Sequence, residues 1–124
     1  MKDKINSNLN YIQYLIMGAL EDVKGQNILV FDTSEKSNFF DRVIIASGVS
    51  NRQTRALAKS VVDKLKKKEG ICCRLEGEDN GEWVLVDCGD IICHVMQPII
   101  REYYNLEEIW GSKSIPIKNI NDFF

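Results

Sequence analysis

The sequence predicts a single α/β domain in which about five strands form one mixed sheet with helices packed against it. Three observations predict this class. The chain has 124 residues, the usual size of one domain. Segments with helical periodicity alternate with short apolar runs in the order helix, two strands, helix, three strands, helix. The helix between the second and third strands allows a right-handed crossover and a parallel pair, whereas the last three strands are expected to be antiparallel.

The first third of the chain predicts one helix followed by two strands. Apolar residues recur at three- and four-residue steps over residues 7–24, as a helix with one buried face requires. Ser7 can cap the amino end of this helix, and Gly25 can end it. Residues 27–33 and 41–47 are apolar runs without helical period, so we expect two well-buried strands.

A second helix is predicted over residues 51–69. Ser50 and Gln53 have the spacing of a capping box at its amino end. Lysines crowd its last turn, where cations interact favourably with the helix dipole, and Gly70 supplies a left-handed stop. The run ICCRLE over residues 71–76 is the third predicted strand.

Two further apolar runs, residues 83–88 and 91–96, flank the dipeptide Gly89-Asp90, which suits a two-residue hairpin loop. Such a loop fixes the register, so that opposed side chains share a face. One face is wholly apolar and belongs against the core: Val84, Val86, Cys88, Ile91, Cys93 and Val95. The other is mixed: Trp83, Leu85, Asp87, Ile92, His94 and Met96.

The mixed face of the hairpin has two alternative roles. A helix can cover it, since sheets bury their faces, or it can form a partly exposed surface that binds a partner. Trp83 and Met96 are the anchors in the second case, because tryptophan and methionine are enriched at interfaces. Asp87 fits a dry core poorly, which favours the binding surface.

Pro98 opens a last predicted helix with an apolar face, and Gly111 ends it. Residues 1–111 therefore form the predicted domain. Residues 112–124 contain Pro116 and have no clear period, so we expect a C-terminal tail that is loose or draped on the surface.

Composition argues against several classes of protein. The net charge of −2 lacks the basic excess of a dedicated nucleic-acid binder, so we expect no sequence-specific nucleic-acid binding. No run approaches the roughly 18 apolar residues of a membrane span, and no signal or transit peptide is recognisable, which predicts a cytoplasmic protein. The four cysteines form no CxxC pair and there is one histidine, which favours reduced thiols over a metal site.

Structural roles are sufficient to explain each residue that could otherwise be a catalytic group. Asp87 and Asp90 flank a turn, whereas a magnesium site needs several converging oxygen ligands. The junction over residues 47–52 could hold a phosphate at a helix amino end, but it lacks both common glycine-rich phosphate motifs. His94 has no nucleophile arranged beside it, so a structural or interface role is favoured. We therefore expect no metal and no cofactor.

Several stretches, taken together, resemble the ribosomal silencing factor family, also called Iojap-like proteins. The likeness is specific because the stretches occur in order and at matching spacing over about residues 20–111. They are DVKGQNI at 22–28, DRVIIASGVSNR at 41–52, EG at 76–77, WVLVDCGDIICHVM at 83–96, Arg101, Tyr104, Leu106-Glu107 and Trp110-Gly111.

The resemblance implies a fold related to nucleotidyltransferases but without their catalytic site, and a protein that is not an enzyme. It implies a translation repressor that binds a large-subunit ribosomal protein on the intersubunit face and sterically blocks joining of the subunits. The implied contact surface contains the tryptophan of the pattern W-x-x-x-D-x-G-D, which is Trp83 here. Acidic and apolar neighbours face a basic partner; they correspond to Asp87, Asp90, His94 and Met96, and further to Glu82 and Leu85.

The residues leave two alternatives open. A metal-dependent nucleotidyltransferase would use residues 47–52 together with Asp87 and Asp90. A homodimeric module with another partner would use the mixed face of the hairpin on itself, and self-association could also compete with ribosome binding. Where the family commonly carries a bulkier apolar residue or tyrosine, this chain has Cys88, which should change packing rather than binding.

Overall fold

Within residues 2–110, which the computed structural model describes, with side chains from residue 8 onward, five strands form one sheet. The strand order is β1-β2-β5-β4-β3, and β2 and β5 run parallel while the other neighbours are antiparallel. The predicted α/β class with a five-stranded mixed sheet is confirmed. The elements are α1 (Lys2–Asp22), β1 (Gln26–Asp32), β2 (Arg42–Ser47), α2 (Asn51–Glu69), β3 (Arg74–Glu76), β4 (Trp83–Asp87), β5 (Ile91–Met96), α3 (Pro98–Tyr104) and α4 (Leu106–Ile109).

The parallel pair joins β2 to β5, not the second strand to the third along the chain. Ser47 lies opposite Met96 at one end of this pair, and Arg42 lies opposite Ile91 at the other. The apolar strand β5 takes the central position, whereas β3 has only three residues and exposes its charged ends, so it stays at the edge. The predicted antiparallel arrangement of the last three strands is confirmed.

The first helix is longer at its amino end than predicted. It begins at Lys2, so Ser7 lies inside it and the predicted cap at Ser7 is wrong. Residues 2–6 contain neither glycine nor proline, so nothing in them stops the helix. At the other end Lys24 takes the left-handed conformation with φ 62°, and Gly25 donates its N–H to the Leu20 carbonyl at 2.8 Å.

The second helix agrees with its prediction at both ends. The Gln53 backbone N–H donates to Ser50 Oγ at 3.0 Å, and the Gln53 side chain reaches back to accept from the Val49 N–H at 2.7 Å. Gly70 ends the helix in the left-handed conformation with φ 66°. The capping residues of this segment are therefore occupied in holding the helix start.

The last predicted helix is broken into two. Asn105 takes the left-handed conformation with φ 48° between α3 and α4, and its N–H donates to the Arg101 carbonyl at 2.9 Å. Asparagine tolerates this conformation better than most residues. The break redirects the chain so that Leu106 is buried against the sheet while Tyr104 is exposed. The predicted tail, residues 112–124, lies outside the described residues.

The sheet has an apolar cluster on each face. The larger cluster lies between the sheet and helices α1 and α2, and it includes the whole apolar face of the β4–β5 hairpin. The smaller cluster lies on the opposite face, where α3 and α4 cover part of the sheet. Its buried members are Phe31, Val43, Ile45, Met96 and Leu106, and Leu29, Phe40, Trp83, Ile100 and Trp110 pack against them.

Candidate functional site

The hairpin has the predicted register. Trp83 lies opposite Met96 and Asp87 opposite Ile92, and the Cys88 N–H donates to the Ile91 carbonyl at 3.0 Å across the two-residue loop. The six residues of the predicted apolar face are all buried in the larger cluster. The mixed face is therefore the only side of this hairpin on which a surface site can form.

Exposure of the mixed face differs between its two strands. On β4, the side chains of Trp83, Leu85 and Asp87 are half-buried. On β5, Ile92 is half-buried, His94 is 8% exposed and Met96 has no exposed surface. The end of β5 that contains His94 and Met96 is therefore covered, whereas β4 and Ile92 remain partly open. Each of the two predicted roles thus applies to one part of this face.

Met96 lies where a partner cannot reach it. Its side chain is packed with Phe31, Val43, Ile45 and Leu106 in the smaller cluster. The predicted exposure of Met96 is therefore wrong, because its strand is central and a helix covers it. Trp83 packs against the same cluster, so Met96 is placed to support it from the covered part of the mixed face.

Trp83 is held by the histidine opposite Leu85. Its Nε1–H donates to His94 Nδ1 at 3.0 Å, and the two ring centroids are 5.8 Å apart. Burial lowers the pKa of His94 to about 4, so the imidazole is neutral near pH 7 and its Nδ1 can accept this hydrogen bond. His94 therefore fixes the orientation of the indole, and little of its own side chain is exposed to a partner.

Acidification is expected to destabilise the protein through His94. The unfolded chain takes up the imidazole proton near the ordinary pKa of about 6.5, whereas the folded protein resists until about pH 4. This contribution to stability is complete above about pH 6.5 and is lost as the pH falls towards 4. The loss is at most about 3 kcal/mol, at 1.4 kcal/mol per unit. Urea denaturation across this range measures it.

The matched variant for this measurement is His94→Gln, whose amide oxygen can still accept from the indole but does not titrate. Its free energy of unfolding should depend less steeply on pH over the same window. An equal slope in the variant and the original protein would show that His94 does not carry the effect.

An aromatic extension of Trp83 was missed by the sequence interpretation. Tyr104 lies with its ring centroid 5.0 Å from that of Trp83, and Tyr103 packs edge-on against Tyr104, also at 5.0 Å. Tyr103 is 82% exposed and Tyr104 is 52% exposed, although both carry large aromatic rings. Ile99, four residues before Tyr103 on the same helix face, is 74% exposed. We call this set the aromatic surface: Trp83, Leu85, Ile99, Tyr103 and Tyr104.

The buried side chain of Arg101 explains why the face of α3 that contains Ile99 and Tyr103 points outward. Its guanidinium is buried and donates from Nη1 to the Asn27 carbonyl at 2.7 Å and to Ser47 Oγ at 2.9 Å. Its Nε donates to Glu107 Oε1 at 2.9 Å, which ties α4 to the same point. Arg101 precedes Glu102 in the sequence, and nothing in this charged pair signals that the arginine would be the buried member of the helix. The charge nevertheless fixes the orientation of α3 and hence of Tyr104.

The surroundings of the aromatic surface are acidic. Residues 82–110 contain six acidic side chains against one basic side chain, and that one, Arg101, is buried in an ion pair. Glu82, next to Trp83, is exposed, and so is Asp90 at the hairpin loop. The rim of this surface is thus suited to basic partners.

The two aspartates of the hairpin do not converge. Asp87 Oδ1 accepts from the Gly89 N–H at 2.9 Å, which stabilises the turn. Asp90 borders a cavity of about 380 Å³ whose lining also includes Asp41 and Glu69 but not Asp87. Among the described residues, no group of three or more His, Cys, Asp or Glu side chains could hold a metal ion.

Within the same part of the chain, no helix is long and apolar enough to cross a membrane.

Comparison with known proteins gives consistent results. A family model described as "Ribosomal silencing factor during starvation" matches residues 7–123. Ribosomal silencing factor RsfS of Chromobacterium violaceum is 49% identical over 102 residues, which cover 82% of this chain and 84% of that protein. The protein of the same name from Zymomonas mobilis is 39% identical over 97 residues, covering 78% and 73%.

A solved structure agrees with the sequence relatives. The crystal structure of a protein from Chromobacterium violaceum superposes with a TM-score of 0.80 at 46% sequence identity, covering 88% of this chain and 91% of that chain. The structural likeness therefore extends over most of the chain.

Proposed function

The chain belongs to the ribosomal silencing factor family, and from this premise we propose that it represses translation by binding the large ribosomal subunit through one of its proteins. In this proposal the contact lies on the intersubunit face. The bound factor occupies space that the small subunit needs, so joining of the subunits is blocked sterically. The factor acts by binding rather than by catalysis, and it works in the cytoplasm, where its target is.

The observation that carries this proposal is the aromatic surface, in which exposed tyrosines surround a half-buried tryptophan that is held in place by a hydrogen bond. Aromatic side chains dominate binding energy at interfaces, and here Tyr103 and Tyr104 are largely exposed although they are large and partly apolar. Trp83 is fixed by its hydrogen bond to His94, so little side-chain entropy is lost when a partner binds. A fixed aromatic centre of this kind is a suitable anchor for a protein partner.

The predicted contact residues take different places in this surface. Trp83 and Leu85 form part of its centre, and Glu82 adjoins it as an acidic rim. Asp87 is about 13 Å from Trp83 along the strand, at 3.3 Å per residue, so Asp87 and Asp90 contact the partner only at the periphery. His94 and Met96 are buried and do not contact the partner. They support Trp83, His94 through its hydrogen bond and Met96 through packing in the smaller cluster. In this proposal the contact lies within the domain predicted over residues 1–111.

The direct test is co-sedimentation of the purified protein with separated large and small ribosomal subunits. We expect binding to the large subunit alone, and the bound fraction should fall as salt is raised because the acidic rim pairs with basic groups. Adding small subunits afterwards should yield fewer joined ribosomes. Binding to neither subunit, or equally to both, would refute the proposal. Binding without loss of joining would refute the steric block.

A second copy of the chain is an alternative occupant of the aromatic surface. Exposed apolar residues gathered in one area, here Ile99, Tyr103 and Tyr104, often mark association sites. If a homodimer forms there, self-association and ribosome binding compete. The mass of the free protein, measured over a range of concentrations, distinguishes a monomer from such a dimer.

A further inference from the structure

Cys73 and Cys88 lie side by side at the edge of the sheet, away from the aromatic surface. The antiparallel ladder of β3 and β4 ends at the pair Arg74–Asp87, and Cys73 and Cys88 are the next residues of the two chain segments just beyond that pair. Both cysteines contact the larger apolar cluster, so they share the face that is turned towards the helices. Both are free thiols.

We propose that Cys73 and Cys88 are an oxidation site, at which a hydroperoxide converts the two thiols into a reversible disulfide. Opposed residues of an antiparallel pair have Cα atoms about 4.5–5.5 Å apart, and a continuation of this spacing by one residue brings the two cysteines into a similar range. Disulfides span Cα separations of about 4.4–6.8 Å, so the end of the ladder is a suitable place for one. This site is independent of the proposed action on ribosomes.

The surroundings of the two thiols assign them different roles. Cys73 is half-buried and can be reached by a small oxidant, whereas Cys88 is buried. Interaction with the neighbouring Cys88 thiol lowers the pKa of the Cys73 thiol, which favours its thiolate. Interaction with Cys73, together with burial, raises the pKa of Cys88. Cys73 is therefore the thiol that the oxidant meets first, and Cys88 is the resolving thiol.

The chemistry balances with one molecule of hydrogen peroxide. The Cys73 thiolate attacks the peroxide, the O–O bond breaks, and sulfenic acid and hydroxide form. The Cys88 sulfur then displaces the sulfenic hydroxyl group, which leaves as water after taking up the thiol proton. In all, two thiols are oxidised to one disulfide and the peroxide is reduced to two water molecules.

The other two cysteines are less suited to this reaction. Cys72 is exposed, whereas Cys73 packs against the larger apolar cluster, so Cys72 does not share its surroundings with Cys88. Cys93 lies opposite Val86, which makes it a diagonal neighbour of Cys88 at about 7–8 Å, too far for a disulfide without distortion. Burial also raises the pKa of Cys93 to about 12, so it stays a thiol.

The test treats the full-length protein with hydrogen peroxide, blocks remaining thiols with iodoacetamide and maps the peptides by mass spectrometry. We expect a peptide pair joined through Cys73 and Cys88, which dithiothreitol separates again. The closed loop should also raise the melting temperature by several degrees. In Cys73→Ser the linked pair should be absent, and in the matched variant Cys72→Ser it should form as before.

Two results would overturn the proposal. One is a disulfide through Cys72, within or between molecules, in place of the Cys73–Cys88 pair. The other is oxidation of Cys73 to sulfinic acid while Cys88 is still alkylated. Both results are obtained with the original protein, so the test does not depend on whether a variant folds. Neither result bears on ribosome binding.

Discussion

Replacing Trp83 with alanine is expected to weaken binding to the large ribosomal subunit by more than about 2 kcal/mol, roughly a thirtyfold loss of affinity. The indole connects the sheet with α3, because it contacts His94 on β5 and Tyr104 on α3. Its removal deletes contact area and also leaves His94 Nδ1 without its donor. The lost contact area weakens binding directly, whereas the unpaired His94 lowers the stability of the free and the bound protein alike.

The measurement is a titration of labelled large subunits with each variant, with circular dichroism to confirm that the variants are folded. Phe39→Ala is the matched control, because Phe39 is an aromatic residue, 89% exposed, outside the aromatic surface. Its affinity should stay close to that of the original protein. Trp83→Phe should give an intermediate loss, since it keeps a ring but not the N–H donor. Equal affinities for Trp83→Ala and Phe39→Ala would place the contact elsewhere.

The hairpin could be predicted from sequence in detail because a two-residue loop leaves only one register. Once Gly89-Asp90 was identified as the loop, every opposed pair followed, and the structure confirms the pairing from Trp83 to Asp87. Alternation then separated an apolar face from a mixed face. This inference is local, so it needed no knowledge of how distant elements pack.

The exposure of the mixed face could not be predicted in the same way. It depends on where β5 lies in the sheet and on how the last helix crosses it, and both are set by distant contacts. Met96 was therefore expected to be an anchor but is covered. Similarly, periodicity shows that α3 has two kinds of face without showing which one meets the sheet. The turn at Asn105 and the buried Arg101 decide this, so Tyr103 and Tyr104 are on the surface.

Replacing Arg101 with methionine is expected to lower the free energy of unfolding by about 3 kcal/mol, the scale for breaking a buried ion pair. Methionine can fill much of the volume, so the loss is attributable to the guanidinium rather than to a cavity. The change leaves the Asn27 carbonyl and the Ser47 hydroxyl without their donor in a site closed to water. It also leaves the carboxylate of Glu107 unpaired, although that side chain can turn towards solvent.

Urea denaturation followed by circular dichroism measures this loss, and Glu107→Gln is the control that separates the ion pair from the other contacts. Glu107 is partly exposed, so its variant should lose only about 1 kcal/mol, as for a single charge-assisted bond near the surface. Arg101→Lys should lie between the two, because one ammonium group cannot reproduce the three directions of the guanidinium bonds. In Arg101→Met, hydrogen exchange in α3 should accelerate more than in β5, since the helix loses its attachment to β1 and β2 while the sheet keeps its ladders. Uniform acceleration, or a loss no larger than that of Glu107→Gln, would mean that apolar packing and not Arg101 sets the orientation of α3 and the position of Tyr104.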